Sequence, residues 1–112
     1  VFTGEIMPAG ALGTLSGLQA MVDAIPKGDP WLVMCWNGDV MQLAAWAITM
    51  GGHVGIGLGD DPYTRFGTPH NGELVEMVAK MAHTLDRKVA TPAQTREILK
   101  MSPRASASHA GK

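Results

Sequence analysis

Two aspartates, Asp60 and Asp61, directly follow a glycine-rich segment that begins at Gly51. A carboxylate at the end of a strand can remove a proton from the carbon next to a carbonyl, so Asp60 is our candidate acid/base or orienting group. The alternative for Asp60 is an ordinary turn aspartate. We interpret Asp61 as a solvated turn residue, with a shifted metal ligand as the second interpretation.

The segment before these acids, residues 53–58, predicts a strand with two different faces. Successive side chains of a strand point in opposite directions, so one face is apolar and the other carries only His53 and glycines. The glycines are Gly55, Gly57 and Gly59. They either leave room for a substrate, present backbone N–H groups to a phosphate, or relieve crowding between strands. They form no dinucleotide fingerprint, because a loop rather than a helix follows them.

Other polar and small residues follow the remaining predicted strands. Asn37 and Gly38 end the middle strand, where Asn37 either donates to a substrate or forms a turn before the next helix. Glu5 follows the first strand and is either exposed or a carboxylate of the site. His53 begins its strand and is interpreted as structural, and Cys35 as a small buried apolar residue.

Hydrophobic spacing and turn residues alternate strands with helices along the chain. A continuous apolar run at 31–36 predicts a strand buried on both faces of a parallel sheet. Asp39 and Gln42 predict a capping box, Asn71 a helix cap, and Thr91 with Gln94 a second box. The predicted strands are 1–3, 31–36 and 53–58, and the helices are 14–25, one after Asp39, one from Asn71 to Leu85, and 91–101.

This order indicates an α/β fold with parallel strands. Three parallel strands leave both sheet edges unpaired, so we expect residues 1–101 to be the last three β/α units of a TIM (β/α)8 barrel. Such a barrel typically has about 250 residues. We expect the small, polar segment 102–112 to be a disordered tail.

Composition excludes several classes of protein. The 112 residues carry nine Lys and Arg against ten Asp and Glu, so the net charge is −1 and nucleic acid is not an expected partner. No apolar run is long enough to span a membrane, and no membrane partner is expected. One cysteine fits a reducing compartment, and we expect a cytoplasmic protein.

Three segments together resemble the C-terminal third of the β-keto acid cleavage enzymes, the 3-keto-5-aminohexanoate cleavage enzyme family. These segments are Gly51-Gly52-His53-Val54 continuing to Asp60, Asn71-x-Glu73-Leu74-Val75, and Val89-Ala90-Thr91-Pro92-Ala93-x-x-Arg96-Glu97-Ile98-Leu99. The resemblance runs through residues 1–101 in one unbroken order.

The resemblance implies a TIM barrel with a bound divalent metal, usually zinc, two of whose ligands are histidines of an early strand. It implies a Claisen-type exchange in which a β-keto acid and acetyl-CoA give acetoacetate and a new acyl-CoA. Gly59 stands where the family has a metal-binding Glu, and Gly55 where it has an Arg; Asp60 matches. Another carboxylate, Glu5 or Asp61, then substitutes, or the chemistry differs, or the site is inactive.

We therefore expect a piece of a metal-dependent β-keto acid cleavage enzyme that is inactive alone, from a parent that is a homo-oligomer. The pocket would be shaped by the three glycines, with Asn37 and Gly38 at its rim and the metal ligands mostly outside this sequence. The alternative is a non-catalytic α/β piece whose open sheet edges drive self-association. The alternative predicts oligomers or aggregates of this chain in gel filtration, and a compact monomer that melts sharply would contradict both interpretations.

Overall fold

The computed structural model describes the backbone of residues 2–4 and the complete residues 13–102. Within them, helices and parallel strands alternate as the sequence predicts. The elements are β1 (Phe2–Gly4), α1 (Leu15–Asp23), β2 (Leu32–Trp36), α2 (Met41–Thr49), β3 (His53–Val54), a 3-10 turn (Thr64–Phe66), α3 (Asn71–Thr84) and α4 (Pro92–Ile98). The predicted Glu5 position and the segment 103–112 lie outside the described residues.

The three strands form one sheet in the order β1-β2-β3, and both pairings are parallel. Phe2 lies opposite Met34, and Leu32 lies opposite His53. The prediction of an α/β fold with parallel strands is confirmed. The C-terminal ends of all three strands therefore point the same way, which is the edge where α/β enzymes place their sites.

The core lies between the sheet and helices α1 to α3. Val33 and Cys35 of β2 point into it, where Leu18, Leu43 and Leu74 of the three helices are also buried. The expectation that β2 is buried on both faces is wrong for this chain, because the alternate residue Trp36 is 46% exposed. The helices cover one face of β2, and the residues of the other face remain accessible.

Capping interactions define the start of α1 and of α4 and the end of α2. The Thr14 hydroxyl accepts from the Gly17 N–H at 3.2 Å, and Thr91 and Gln94 form the reciprocal capping box at the start of α4. Gly51 ends α2 with a left-handed φ of +89°, a conformation that glycine adopts without strain.

Two predicted caps are wrong in detail. The cap residue of α2 is Val40, and Asp39 stands one residue earlier with its Oδ1 accepting from the Met41 N–H at 2.8 Å. The cap of α3 is His70, whose N–H donates to the Glu73 carboxylate at 2.6 Å. Asn71 is already the first residue of α3. The last helix also ends earlier than predicted, at Ile98 rather than near residue 101.

The predicted strand 53–58 is wrong beyond Val54. The Gly55 N–H still donates to the Val33 carbonyl at 2.8 Å, but the Gly57 carbonyl accepts from the Asp60 N–H in a turn. The chain leaves β2 here because glycine weakens a strand and a turn toward α3 begins. None of the helices in the described ranges has the length and apolarity that crossing a bilayer requires.

Candidate functional site

A backbone hydrogen bond joins the residue after β2 to the loop that follows β3. The Asn37 N–H donates to the Asp60 carbonyl at 2.8 Å, so the two predicted site residues lie side by side. Asn37 has a left-handed φ of +52° and an exposed side chain, as expected for the first residue after a strand that turns sharply. The structure thus brings Asn37, Gly38 and Asp60 to the same edge of the sheet.

Gly38 is required by packing under this edge. A Cβ atom built there would lie 2.8 Å from the Cys35 Sγ, and one at Gly13 would lie 3.1 Å from the same sulfur. The thiol therefore fills the space beneath Gly38 and beneath Gly13, which precedes α1. Cys35 is 3% exposed, which agrees with its interpretation as a small buried apolar residue.

The three glycines after His53 have different surroundings. A Cβ at Gly55 would lie 3.2 Å from the Leu32 Cδ1, so this position faces the accessible side of β2, while Val54 and Ile56 pack against the core. A Cβ at Gly57 would be in ordinary contact, 3.5 Å from the Asn71 Oδ1. At Gly59 none of the described atoms lies within 4 Å of that position.

Asn71 holds the glycine segment in place from the next helix. Its Oδ1 accepts from the Leu58 N–H at 2.8 Å, across thirteen residues of sequence. In a longer strand the Leu58 N–H would bond to a carbonyl of the neighbouring strand, and here the Asn71 side chain accepts that bond instead. Sequence inspection assigned Asn71 to a cap, because the same residue type suits either purpose and the long-range partner cannot be read from spacing.

Asp61 forms a local turn. Its Oδ2 accepts from the Tyr63 N–H at 2.7 Å, and Tyr63 itself adopts a left-handed φ of +50°. This arrangement is the Asx turn that aspartate commonly forms in loops. The structure places Asp61 next to Asp60, and its oxygen atom is used by the backbone.

Tyr63 and Arg65 are the residues at this edge that sequence analysis missed. The Tyr63 side chain is 1% exposed, and its ring lies 6.4 Å from the Phe66 ring. Arg65 forms an ion pair with the Asp39 carboxylate, and its guanidinium carbon lies 4.2 Å above the Phe66 ring centroid. The only sequence signal for Tyr63 and Arg65 is that an aromatic residue and an arginine occur within an otherwise polar loop.

Burial of the Tyr63 phenol, with the nearby Asp39 carboxylate as the next cause, raises the pKa of Tyr63 to about 12. The hydroxyl lies against the Val40 backbone N–H, but it forms no well-directed hydrogen bond among the described residues. The phenol therefore stays neutral at physiological pH and anchors the loop by packing.

The described residues do not by themselves provide a metal centre. Across residues 13–102, His, Cys, Asp and Glu side chains nowhere gather in a group of three that could hold an ion. Zinc sites with catalytic function usually use three protein ligands and one open position. Asp60 and Asp61 thus fall short of such a site on their own.

The parallel strands and the helices between them define an α/β unit, with the candidate residues in the segments that follow the strands. A family model described as β-keto acid cleavage enzyme matches residues 1–101, and the chain belongs to this family. The resemblance inferred from the sequence motifs is therefore confirmed.

Three curated relatives match the chain. A 3-keto-5-aminohexanoate cleavage enzyme from Fusobacterium nucleatum is 43% identical over 86 residues, covering 75% of this chain and 32% of the relative. The enzyme of the same name from Acetoanaerobium sticklandii is 39% identical over 95 residues, covering 83% and 35%. A 3-dehydrocarnitine:acetyl-CoA trimethylamine transferase from Rhizobium meliloti is 29% identical over 99 residues, covering 88% and 33%. The chain thus spans about a third of the length of these relatives.

Proposed function

We propose that this chain is the C-terminal third of a β-keto acid cleavage enzyme. In the full-length parent, a β-keto acid and acetyl-CoA would exchange groups to give acetoacetate and a new acyl-CoA. The observation that carries the proposal is the family match over residues 1–101, supported by relatives whose names include keto acid cleavage and acetyl-CoA. The three parallel strands would be the last three of a TIM barrel, whose remaining strands complete both sheet edges.

Asp60 is the residue of this chain that we assign to the chemistry. It is half-buried at the C-terminal edge of the sheet, and its main chain is fixed by the bond from the Asn37 N–H. A carboxylate in this position can transfer a proton to or from the carbon next to a carbonyl. Gly55, Gly57 and Gly59 would leave room for the substrate, and Asn37 with Gly38 would form the rim of the pocket.

A divalent metal, zinc in our proposal, would take its ligands from parts of the parent outside the described residues. Glu5 and Asp61 are the two carboxylates of this chain that could contribute, although the Asp61 Oδ2 already accepts a backbone N–H. Because the described residues alone do not form a metal site, the role of Asp60 as acid/base is proposed without any step through the metal.

The test is to assay the full-length parent for acetoacetate formation and for metal content. Asp60→Asn is expected to lower kcat/KM by about 10²–10⁴-fold, the usual contribution of a general acid/base. Asp29→Asn is the matched control, because Asp29 precedes β2 and lies at the opposite end of the strand. Its activity is expected to equal that of the unmodified protein.

Two results would overturn the proposal. A parent that copurifies with no metal and turns over no β-keto acid is not such an enzyme. If turnover occurs but Asp60→Asn behaves like Asp29→Asn, the assignment of Asp60 is wrong while the reaction stands. The isolated 112-residue chain is expected to show no turnover, because it contains only part of the barrel.

A further inference from the structure

Arg65 is held on two sides at the C-terminal edge of the sheet. Its guanidinium pairs with the Asp39 carboxylate of the β2–α2 turn and lies over the Phe66 ring. The Arg65 side chain nevertheless remains 49% exposed, whereas Asp39 is 20% exposed. A guanidinium has five N–H donors in a fixed fork, so a single carboxylate leaves some of them accessible.

Arg65 is also the single positive side chain available in the segments after the strands. Residues 5–14, 37–40 and 55–70 contain no other Lys or Arg, while they contain four acidic residues, Glu5, Asp39, Asp60 and Asp61. Both substrates of the proposed reaction are anionic, because a β-keto acid has a carboxylate and coenzyme A has phosphates. A guanidinium near this edge suits either oxyanion, because its planar fork of N–H donors matches carboxylate and phosphate, and this chain has Gly55 where the resemblance leads us to expect an Arg.

We propose that Arg65 is a substrate-binding residue, whose guanidinium binds an oxyanion of the substrate pair in competition with its ion pair to Asp39. This inference rests on the proposed function, since that function makes the ligands anionic. The alternative is that the ion pair only closes the loop, and half-exposed pairs of this kind usually contribute little to stability. The two roles differ in what the removal of Asp39 does.

If Asp39 competes with the ligand for Arg65, then Asp39→Asn frees the guanidinium and anion binding becomes stronger. The asparagine Oδ1 can still accept from the Met41 N–H, so the start of α2 is retained. If the ion pair only closes the loop, Asp39→Asn loosens the loop and does not strengthen anion binding. Asp39→Asn therefore gives opposite results for the two roles.

The experiment is an NMR titration of the full-length parent at low ionic strength, following the Arg65 Nε–H and the loop amides. Acetoacetate and coenzyme A are added in separate arms, which distinguish a carboxylate from a phosphate. Each is raised to about 10 mM, where even a millimolar affinity approaches saturation. Spectral dispersion of each variant shows that it remains folded.

We expect saturable shifts at Arg65 with at least one of the two anions. Arg65→Gln should weaken binding about ten- to a hundredfold, as for loss of a charge-assisted hydrogen bond. Arg65→Lys, which keeps the charge but not the fork, should be intermediate. Asp39→Asn should strengthen binding about two- to fivefold. Lys80→Gln is the matched control, since Lys80 forms an exposed ion pair with Glu76 on α3.

The inference is overturned if the unmodified parent binds neither anion. It is also overturned if Arg65→Gln binds the anions as well as Lys80→Gln does, or if Asp39→Asn binds them no more strongly than the unmodified parent. Its failure is distinguishable from failure of the proposed function. A parent that turns over substrate with an unchanged KM in Arg65→Gln refutes the role of Arg65 alone. If the parent shows no turnover but Arg65 still binds anions, the proposed reaction is refuted and the anion-binding role of Arg65 is retained.

Discussion

Tyr63 gives the sharpest physical prediction of this structure, because it is the only tyrosine in the sequence. Its side chain is 1% exposed, and burial beside Asp39 raises its pKa from 10.0 to about 12. Tyrosinate absorbs in the near ultraviolet where neutral tyrosine contributes little, and the absorbance of the three tryptophans there does not change with phenol ionisation. A pH titration of that absorbance in the folded chain therefore reports this one phenol, and we expect its midpoint well above pH 10.

The same shift determines how stability depends on pH. Below pH 10 the phenol is protonated in the folded and unfolded states, so it causes no pH dependence there. Above pH 10 the unfolded state loses the proton first, and the folded state becomes relatively less stable as the pH rises toward 12. The slope is at most about 1.4 kcal/mol per pH unit, so the total loss is about 2–3 kcal/mol.

Tyr63→Phe isolates this effect, because it keeps the ring and removes the ionisable group. Unfolding by urea at pH 8, 10 and about 11 should show that the unmodified chain loses stability relative to the variant only above pH 10. Circular dichroism at each pH confirms that the chain remains folded during the absorbance titration. A midpoint near pH 10 in a chain that is still folded would show that Tyr63 is solvated and would refute the buried anchor.

Two further predictions concern packing and the glycine segment. In urea unfolding, Gly52→Ala should destabilise the chain by about 1–3 kcal/mol, since the new Cβ would lie 2.4 Å from the Trp31 ring. The control Gly72→Ala lies in open space on α3 and should be neutral or stabilising by up to about 1 kcal/mol. Asn71→Ala should cost about 1 kcal/mol and speed hydrogen exchange at the Leu58 amide, whose acceptor it removes; unchanged exchange would mean that this bond is absent in solution.

The sequence predicted the features that depend on neighbouring residues. Parallel strands follow from apolar runs alternating with helices, and the box at Thr91 follows from hydrogen bonds three residues apart. The end of α2 at Gly51 follows from the left-handed backbone that glycine accepts. Each of these features depends on residues that are close in sequence, so residue types and spacing are enough to predict it.

The features that the sequence did not predict depend on partners far along the chain. Beyond β3, the Leu58 N–H bonds to Asn71 and not to a strand. The loop after β3 is anchored by Tyr63 and by the pair of Arg65 with Asp39, which lies twenty-six residues earlier in the sequence. Polar loop residues have many potential partners, and only the tertiary arrangement selects among them.

The glycines near the candidate site differ in whether packing requires them. Gly52 and Gly38 are fixed by packing, because a Cβ would lie within 3 Å of the Trp31 ring or of the Cys35 sulfur. Gly59 is different: its φ is not left-handed, and none of the described atoms would contact a Cβ there. Packing of the described residues would therefore accept the longer carboxylate that the family resemblance leads us to expect. The packing of the described residues therefore does not explain this glycine, and under the proposed function the space would be available to the substrate.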